Sequence, residues 1–141
     1  MPELRNVIVF SIGAVRYAVE LRWVREVVSL GFVTVVPTAP AAIGGVCNLH
    51  GTILPVLDVA AVLGGASGPP PRQGDGALVL ETEGLVCALR VDQVDHVASL
   101  QETAGSVIDA GGRTLPLLDP ARLVRGALEQ VGGTGDTGTA A

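Results

Sequence analysis

Short apolar runs separated by glycine or polar turns recur along the chain, which is the pattern of a protein built from short strands. The run Val7–Ile12 is almost entirely apolar, as in a strand covered on both faces. Gly13-Ala14 follows as a hairpin signal. From residue 17 to 22 the larger apolar side chains then occupy every second position, which indicates a half-buried strand.

The next segments continue the strand pattern. Trp23–Leu30 is rich in β-branched residues, which favours a strand over a helix and places Val24, Glu26 and Val28 on one side. The segment VTVVPTAP should end a strand at its two prolines. The residues 46–49 and 52–57 are predicted to be two strands joined by a tight turn at His50-Gly51.

Two aspartates are predicted to begin short helices. Asp58 precedes VAAVLG, and its side chain can accept a hydrogen bond from the free amides of a first helical turn. Asp119 is followed by Pro120, which suits the first helical position, and the residues 123–131 could form a short closing helix. We therefore interpret Asp58 and Asp119 as structural capping residues, not as paired catalytic carboxylates.

The chain contains an internal repeat. The residues Gly44–Gly65 align without gaps with Gly105–Gly126, and the shared positions include the pairs Gly51/Gly112 and Pro55/Pro116. Upstream, Val9–Leu30 aligns more weakly with Val79–Leu100 in the same order. Two collinear matches indicate a duplicated structural unit, in which Gly51 and Pro55 hold structural positions.

Five short strands and a helical turn per repeat can curl into a small barrel, which removes exposed sheet edges. We predict an all-β fold of two packed β-barrels in one domain over residues 1–127. The residues 7–65 would supply the first barrel, 77–127 the second, and the Gly/Pro-rich residues 66–76 a linker. The residues 128–141 are expected to be the end of a short helix and a disordered tail.

Composition narrows the choice of partners and of compartment. The 141 residues carry 9 basic and 14 acidic side chains, a net charge of −5, so a nucleic-acid partner is not expected. The uncharged residues 27–57 contain three prolines and four glycines, which argues against a membrane span. The first residues lack the features of a secretory signal, so we expect a cytoplasmic protein in which Cys47 and Cys87 are reduced and buried.

Few residues are available for catalysis. Cys47 and His50 resemble half of a metal motif or a Cys/His dyad, but positions three apart on a strand point to opposite faces. The glycine pairs near residues 44 and 111 are too short to bind phosphate. We predict no catalytic residue, no cofactor and no metal. A chain this apolar should expose an apolar groove between its barrels, which favours a binding module over an enzyme.

Several motifs together resemble one known family. The run VIVFSIGAVRYAVELRWVREVV, then PTAPAAIGGVCNLHGTILPVLD with a following LG, is similar to the CheW-like coupling domain of bacterial chemotaxis systems. The similarity resumes at LVCALRVDQV and ends with LPLLDPARL. It covers most of the chain, and the combination of motifs is specific whereas no single motif is.

The resemblance implies two five-stranded SH3-like barrels and no enzymatic activity. It also implies an adaptor that joins the regulatory domain of a CheA-like chemotaxis histidine kinase to the cytoplasmic tip of a methyl-accepting chemoreceptor. Such an adaptor would be cytoplasmic and recruited to membrane-associated receptor arrays without inserting into the membrane. By motif position, Val24 and Glu26 fall where the family contacts the kinase, and Gly45 and Val46 fall in the receptor-facing groove.

The chain departs from the family pattern at two places. His50 stands where the family usually has arginine, and histidine is largely neutral at pH 7. If this position holds Glu26, the pair should be weak at neutral pH and stronger in acid. Between Leu100 and Gly105 only QETA remains, so the second barrel should be trimmed. This shortening supports an alternative function, an accessory protein that binds one partner and competes with a full coupling protein.

Overall fold

The computed structural model describes residues 3–36, 43–62 and 70–127. Strands dominate these residues, so the predicted all-β class is confirmed. Helical structure is limited to a 3-10 turn at Leu21–Trp23, the helix α1 at Val59–Val62 and the helix α2, whose described part covers residues 120–127. The strands in chain order are β1 (Leu4–Ile12), β2 (Val15–Glu20), β3 (Val24–Ser29), β4 (Val33–Thr34), β5 (Ile43–Leu49), β6 (Thr52–Leu57), β7 (Gly76–Thr82), β8 (Leu85–Val91), β9 (Gln93–Thr103), β10 (Ser106–Ile108) and β11 (Thr114–Leu118).

The strands form two packed units. The first, which we call the closed barrel, has the strand order β1-β2-β11-β10-β9. The second, the six-stranded sheet, has the order β3-β7-β8-β6-β5-β4. In the sheet, β3 pairs with β7 and β4 pairs with β5. In the closed barrel the single long strand β9 pairs with both β1 and β10. The strands β3 and β4 therefore correspond to one strand of the barrel that is interrupted at residues 30–32.

The two units do not coincide with the two repeats, which corrects our assignment of residues 7–65 and 77–127 to separate barrels. The closed barrel combines β1 and β2 from the first repeat with β9–β11 from the second, whereas β3–β8 form the sheet. Two parallel strand pairs, β2·β11 and β6·β8, produce this exchange of strands between the repeats. Each pair joins the hairpin of one repeat to the last strand of the other. No local sequence signal distinguishes these pairings from pairings within a repeat.

The duplication is nevertheless visible in the register of the strands. In the closed barrel, Leu117 pairs with Ala18 and Leu118 with Val19. At the positions that the sequence repeat makes equivalent, Val56 pairs with Ala88 and Leu57 with Leu89. The repeat thus describes a pseudo-two-fold relation between the units, although it does not mark their boundaries.

The apolar run at the start of the chain is explained by two separate cores. Val7 and Val9 lie in the core of the closed barrel, whereas Ile8 and Phe10 face the core between the two units. The strand β7 of the six-stranded sheet shows the same alternation. Val79 lies in the core of the sheet, and Leu80 lies in the core between the two units. Both faces of these strands are covered, as the absence of polar residues predicted.

The capping predictions for both aspartates are confirmed. The Oδ1 atom of Asp58 accepts a hydrogen bond from the Ala61 amide at 3.3 Å at the start of α1. The Oδ1 atom of Asp119 accepts one from the Ala121 amide at 3.0 Å, with Pro120 as the first helical residue of α2. Each aspartate therefore fixes the chain where it leaves the last strand of its repeat.

The expected shortening after Leu100 does not open the barrel. The strand β9 passes directly into β10 through a two-residue turn at Ala104-Gly105, both with positive φ angles. All five strands of the closed barrel are present. The shortened segment therefore removes a loop and no barrel strand.

Some predictions concern residues outside the described ranges. These are the prolines at 37 and 40, residues 66–69 of the linker 66–76, the end of the closing helix beyond residue 127, and the tail 128–141. Of the linker, the structure describes residues 70–75 and Gly76, which begins β7. None of the helices within the described residues is both long and apolar enough to cross a membrane.

Candidate partner-docking site

The turn between β5 and β6 and the edge strand β3 meet at one end of the six-stranded sheet. His50 and Gly51 both have positive φ angles, 50° and 85°, which suits a two-residue hairpin turn and explains the glycine. The Oδ1 atom of Asn48 accepts a hydrogen bond from the Gly51 amide at 3.0 Å. This turn projects the imidazole of His50 toward β3, and the predicted tight turn is confirmed.

Glu26 and His50 form a pair across the end of the sheet. The Nε2 atom of His50 lies 3.0 Å from the Oε1 atom of Glu26. The two side chains are 75% and 38% exposed, so water screens the interaction and a partner can reach both groups. The structure therefore brings together the two residues that the sequence analysis paired.

A surface cavity of about 280 Å³ lies beneath this pair. Its apolar lining belongs largely to the core of the sheet, and its charged lining comes from β3 and the turn. The lining residues are Arg25, Glu26, Leu49, His50, Thr52, Leu54, Val79 and Val86. Arg25 is held by an ion pair with Glu81 at 2.9 Å. The end of the sheet thus combines an apolar depression with a polar rim, as in a protein interface.

Two apolar side chains, one on β3 and one on β6, are exposed, and the sequence analysis missed both. Val27, next to Glu26 on β3, is 51% exposed, and Ile53, two residues after Gly51, is 62% exposed. The alternation in β3 could have indicated Val27, because Val24, Glu26 and Val28 were placed on the other side. Nothing in the sequence indicates that Ile53 faces outward. Val27 thus lies on the opposite face of β3 from Glu26. We call Glu26, His50 and the cavity beneath them the docking surface.

The structure places Val24 differently from Glu26. Its side chain is half-buried and packs against the core between the two units. The register of β3 against β7 shifts between Val24 and Glu26, so Arg25 occupies a β-bulge that reorients the strand. A substitution of Val24 would therefore disturb packing as well as any partner contact.

Gly45 and Val46 lie on β5, separated from β3 by three strands of the sheet order. Gly45 is buried, and a Cβ atom added there would lie 2.8 Å from the carbonyl oxygen of Thr34. Val46 is half-buried and pairs with Pro55. The structure therefore does not bring this pair together with Glu26, and it gives Gly45 a packing role.

The structure explains why a proline is compatible with position 55 in β6. It lies in β6 just before Val56, where the parallel pairing with β8 begins. Up to this point β6 pairs on one side only, with β5. Prolines within sheets are confined to such positions, where a strand has a neighbour on one side only.

The cysteines lie in the protein interior. Cys47 and Cys87 are both buried and free. Burial raises the pKa of the Cys47 thiol and raises the pKa of the Cys87 thiol to about 11, so both remain protonated at neutral pH. Across residues 3–36, 43–62 and 70–127, no group of three or more His, Cys, Asp or Glu side chains could hold a metal ion.

A family model for the CheW-like domain matches residues 6–128. The chain belongs to the CheW-like family. The probable chemotaxis protein CheW of Rhizobium etli is 33% identical to it over 98 residues, which cover 70% of this chain and 63% of the relative. The chemotaxis protein CheW of Rhizobium meliloti is 32% identical over the same coverage. The aligned part of this CheW-like chain thus spans 63% of the length of these curated relatives.

The fold of this CheW-like chain is similar to that of a solved structure, the scaffolding protein TtCheW from Thermoanaerobacter tengcongensis. The TM-score is 0.67 at 25% sequence identity, with 84% of this chain and 90% of the other chain covered. The SH3-like two-unit architecture is therefore shared with a scaffolding protein.

Replacing His50 by arginine tests the pair with Glu26 in this CheW-like chain. At pH 7.5 we expect His50→Arg to raise the free energy of unfolding by about 0.5 kcal/mol, because arginine carries a permanent charge opposite the carboxylate. Urea unfolding of His50→Arg, Glu26→Gln and the double variant measures the coupling. Equal effects of His50→Arg with and without Glu26 would contradict the pairing.

Proposed function

We propose that this CheW-like chain is a non-catalytic adaptor in chemotaxis-type signalling. It joins the cytoplasmic tip of a chemoreceptor to the regulatory domain of a histidine kinase in the cytoplasm. The observation that carries the proposal is the docking surface, in which Glu26 and His50 form a pair over a surface cavity with a largely apolar lining. Family membership and the chemotaxis names of the relatives support the class of partner.

The docking surface suits the kinase for a physical reason. The cavity offers an apolar lining that includes Leu49 and Val86, and Glu26 offers a partly exposed carboxylate at its rim. A partner that presents an apolar side chain and a cation would fill the cavity and compete with His50 for Glu26. Coupling would then depend on the relative placement of two bound partners, and no chemical step is needed.

The receptor would bind elsewhere on the chain. Val46 on β5 lies outside the docking surface, so the proposed receptor-facing segment can be occupied while the kinase is bound. Gly45 beside it is buried under β4 and shapes the backbone there. Two separate surfaces are the requirement for an adaptor that holds both partners at once.

The intact closed barrel favours this adaptor over the accessory protein that binds one partner. That alternative rested on the shortened segment after Leu100, but all five strands of the closed barrel are present. Binding of the purified chain to the kinase regulatory domain and to the receptor tip, singly and then together, tests the choice. Formation of a ternary complex is expected. Binding of one partner only, at concentrations that saturate the other, would support the accessory protein and contradict the adaptor.

A further inference from the structure

The residues just before β7 form a short folded segment on the six-stranded sheet. We call residues 70–75 the strap. Within it, the Arg72 amide donates a hydrogen bond to Oδ2 of Asp75 at 2.9 Å, and the Asp75 amide donates one to the Arg72 carbonyl oxygen at 3.1 Å. Gly74 completes this turn with a φ angle of 95°. The strap therefore has internal hydrogen bonds of its own, and it contacts the sheet at three places.

The first contact of the strap is with the end of β3. The Leu30 amide donates a hydrogen bond to the Asp75 carbonyl oxygen at 2.7 Å, and the Gly74 amide donates one to the Leu30 carbonyl oxygen at 2.8 Å. The hydroxyl of Ser29 donates a third hydrogen bond to the Gly74 carbonyl oxygen at 3.2 Å. These bonds continue the pairing of Ser29 with Gly76 beyond the end of β3. A movement of the strap therefore acts directly on the end of this strand.

The second contact of the strap is with the start of β5. Pro71 is buried, and its Cδ atom lies 2.9 Å from the place where a Cβ atom of Gly44 would stand. The cavity that these two residues help to line has a volume of only about 20 Å³. Because the proline ring is packed closely against the backbone, a shift of β5 at Gly44 would displace the ring. Gly44 immediately precedes Gly45 and Val46, the proposed receptor-facing segment.

The third contact of the strap is an ion pair with β8. The Nε atom of Arg90 lies 3.0 Å from Oδ2 of Asp75, and its Nη2 atom lies 3.2 Å from Oδ1 of Asp92. Burial alone would raise the pKa of the Asp75 carboxyl, but the hydrogen bonds from the Arg72 amide and from Arg90 hold this pKa below its ordinary value. Asp75 is therefore charged at neutral pH, and it holds both the turn of the strap and the contact with β8.

The strap contacts both of the elements that carry the proposed partner sites. In the order of the sheet, β3 with Glu26 is separated by β7, β8 and β6 from β5 with Gly45 and Val46. The strap reaches the end of β3 through Leu30 and the start of β5 through Pro71. It is thus a contiguous physical connection between two sites that lie far apart in the sheet.

We propose that the strap couples the two partner sites of the adaptor. A receptor bound at Gly45 and Val46 shifts Pro71, and the hydrogen bonds of the strap to Leu30 transmit this shift to β3. The position of Glu26 then changes, and with it the affinity of the docking surface for the kinase. This inference rests on the proposed function, since it assigns a means of regulation to the two sites named there. By thermodynamic linkage, the kinase changes the affinity for the receptor by the same factor.

Amide hydrogen exchange in the free chain, measured by NMR, tests the transmission step without any partner. Gly44→Ala places a methyl group against Pro71 and imitates the proposed shift. We expect the amides of Leu30 and Gly74 to exchange about tenfold faster or more. The amide of Asp109, which is hydrogen-bonded in the closed barrel, reports on general destabilisation and should keep its rate. Unchanged exchange at Leu30 and Gly74, or an equal increase at Asp109, would overturn the proposal.

Calorimetric titrations with both partners test the coupling itself. We expect a saturating receptor tip to change the affinity of the unmodified chain for the kinase regulatory domain by about fivefold or more. Asp75→Ala releases the strap from Arg90 and should reduce this factor to less than about twofold. Asp109→Ala is the matched control, because Asp109 also organises a turn by accepting hydrogen bonds from the Gly111 and Arg113 amides, but in the closed barrel. It should leave the coupling factor unchanged.

The outcomes separate the role of the strap from the adaptor function. If both partners bind but the coupling factor is absent, or is the same in Asp75→Ala as in the unmodified chain, the strap proposal is overturned and the adaptor stands. An equal loss of coupling in Asp75→Ala and Asp109→Ala would also overturn it. If the unmodified chain binds neither partner, the proposed function fails and the coupling of partners fails with it.

Discussion

Gly45→Ala is expected to lower the free energy of unfolding by roughly 1–3 kcal/mol. The added Cβ atom would lie 2.8 Å from the Thr34 carbonyl oxygen and 2.9 Å from Cγ1 of Val33. The first of these is a backbone atom, so the clash is relieved only if β4 moves away from β5. Because β4 is a two-residue edge strand with few other contacts, we expect it to detach. Urea unfolding monitored by circular dichroism measures the effect.

Gly31→Ala is the matched control for this prediction. Its added Cβ atom would meet nothing within 4 Å, and Gly31 has no positive φ angle. The control should therefore be neutral or slightly stabilising. If Gly45→Ala were as stable as Gly31→Ala but lost receptor binding, Gly45 would act as a direct contact. Loss of stability together with loss of receptor binding would assign it the packing role that its burial indicates.

Glu26→Arg is expected to weaken binding of the kinase regulatory domain by about 2 kcal/mol or more, which is at least about 30-fold. The reversed charge would stand beside Arg25 and His50 and would repel a cationic partner group. The half-exposed position should tolerate the longer side chain, so the thermal transition should stay within a few degrees of the unmodified chain. Isothermal titration calorimetry of the purified domains measures the affinity.

Glu83→Arg makes the same charge change at the exposed turn between β7 and β8, outside the docking surface. It should leave kinase affinity unchanged, which separates a local contact from an effect of net charge. Full affinity in Glu26→Arg would show that the kinase docks on another face.

Local patterns were sufficient for the strands, the turns and the caps of this chain. Period-two alternation and β-branched residues located β3, and the positive-φ turn at His50-Gly51 followed from its residue types. The aspartates before α1 and α2 were interpretable because capping depends on residues within one helical turn. These features depend on contacts between near neighbours in sequence, so a sequence pattern carries them directly.

Local sequence patterns predicted only part of the candidate docking site. Motif position indicated Glu26 and His50, and their separation of 3.0 Å is a consequence of how the sheet curls. Val24 carried the same motif evidence, yet the β-bulge at Arg25 turns it toward the core between the units. The outward position of Ile53 depends on which strands neighbour it, and no local pattern records that.

The sequence by itself determined an all-β chain with a duplicated unit and two capped helices. Only the tertiary structure decided which hairpin completes which barrel. The pairings of β2 with β11 and of β6 with β8 join residues far apart in the chain, and the two repeats are similar enough that either arrangement satisfies the same apolar pattern. In the fold that forms, Ile8 and Phe10 of the first hairpin and Leu78 and Leu80 of the second are buried together in the core between the units.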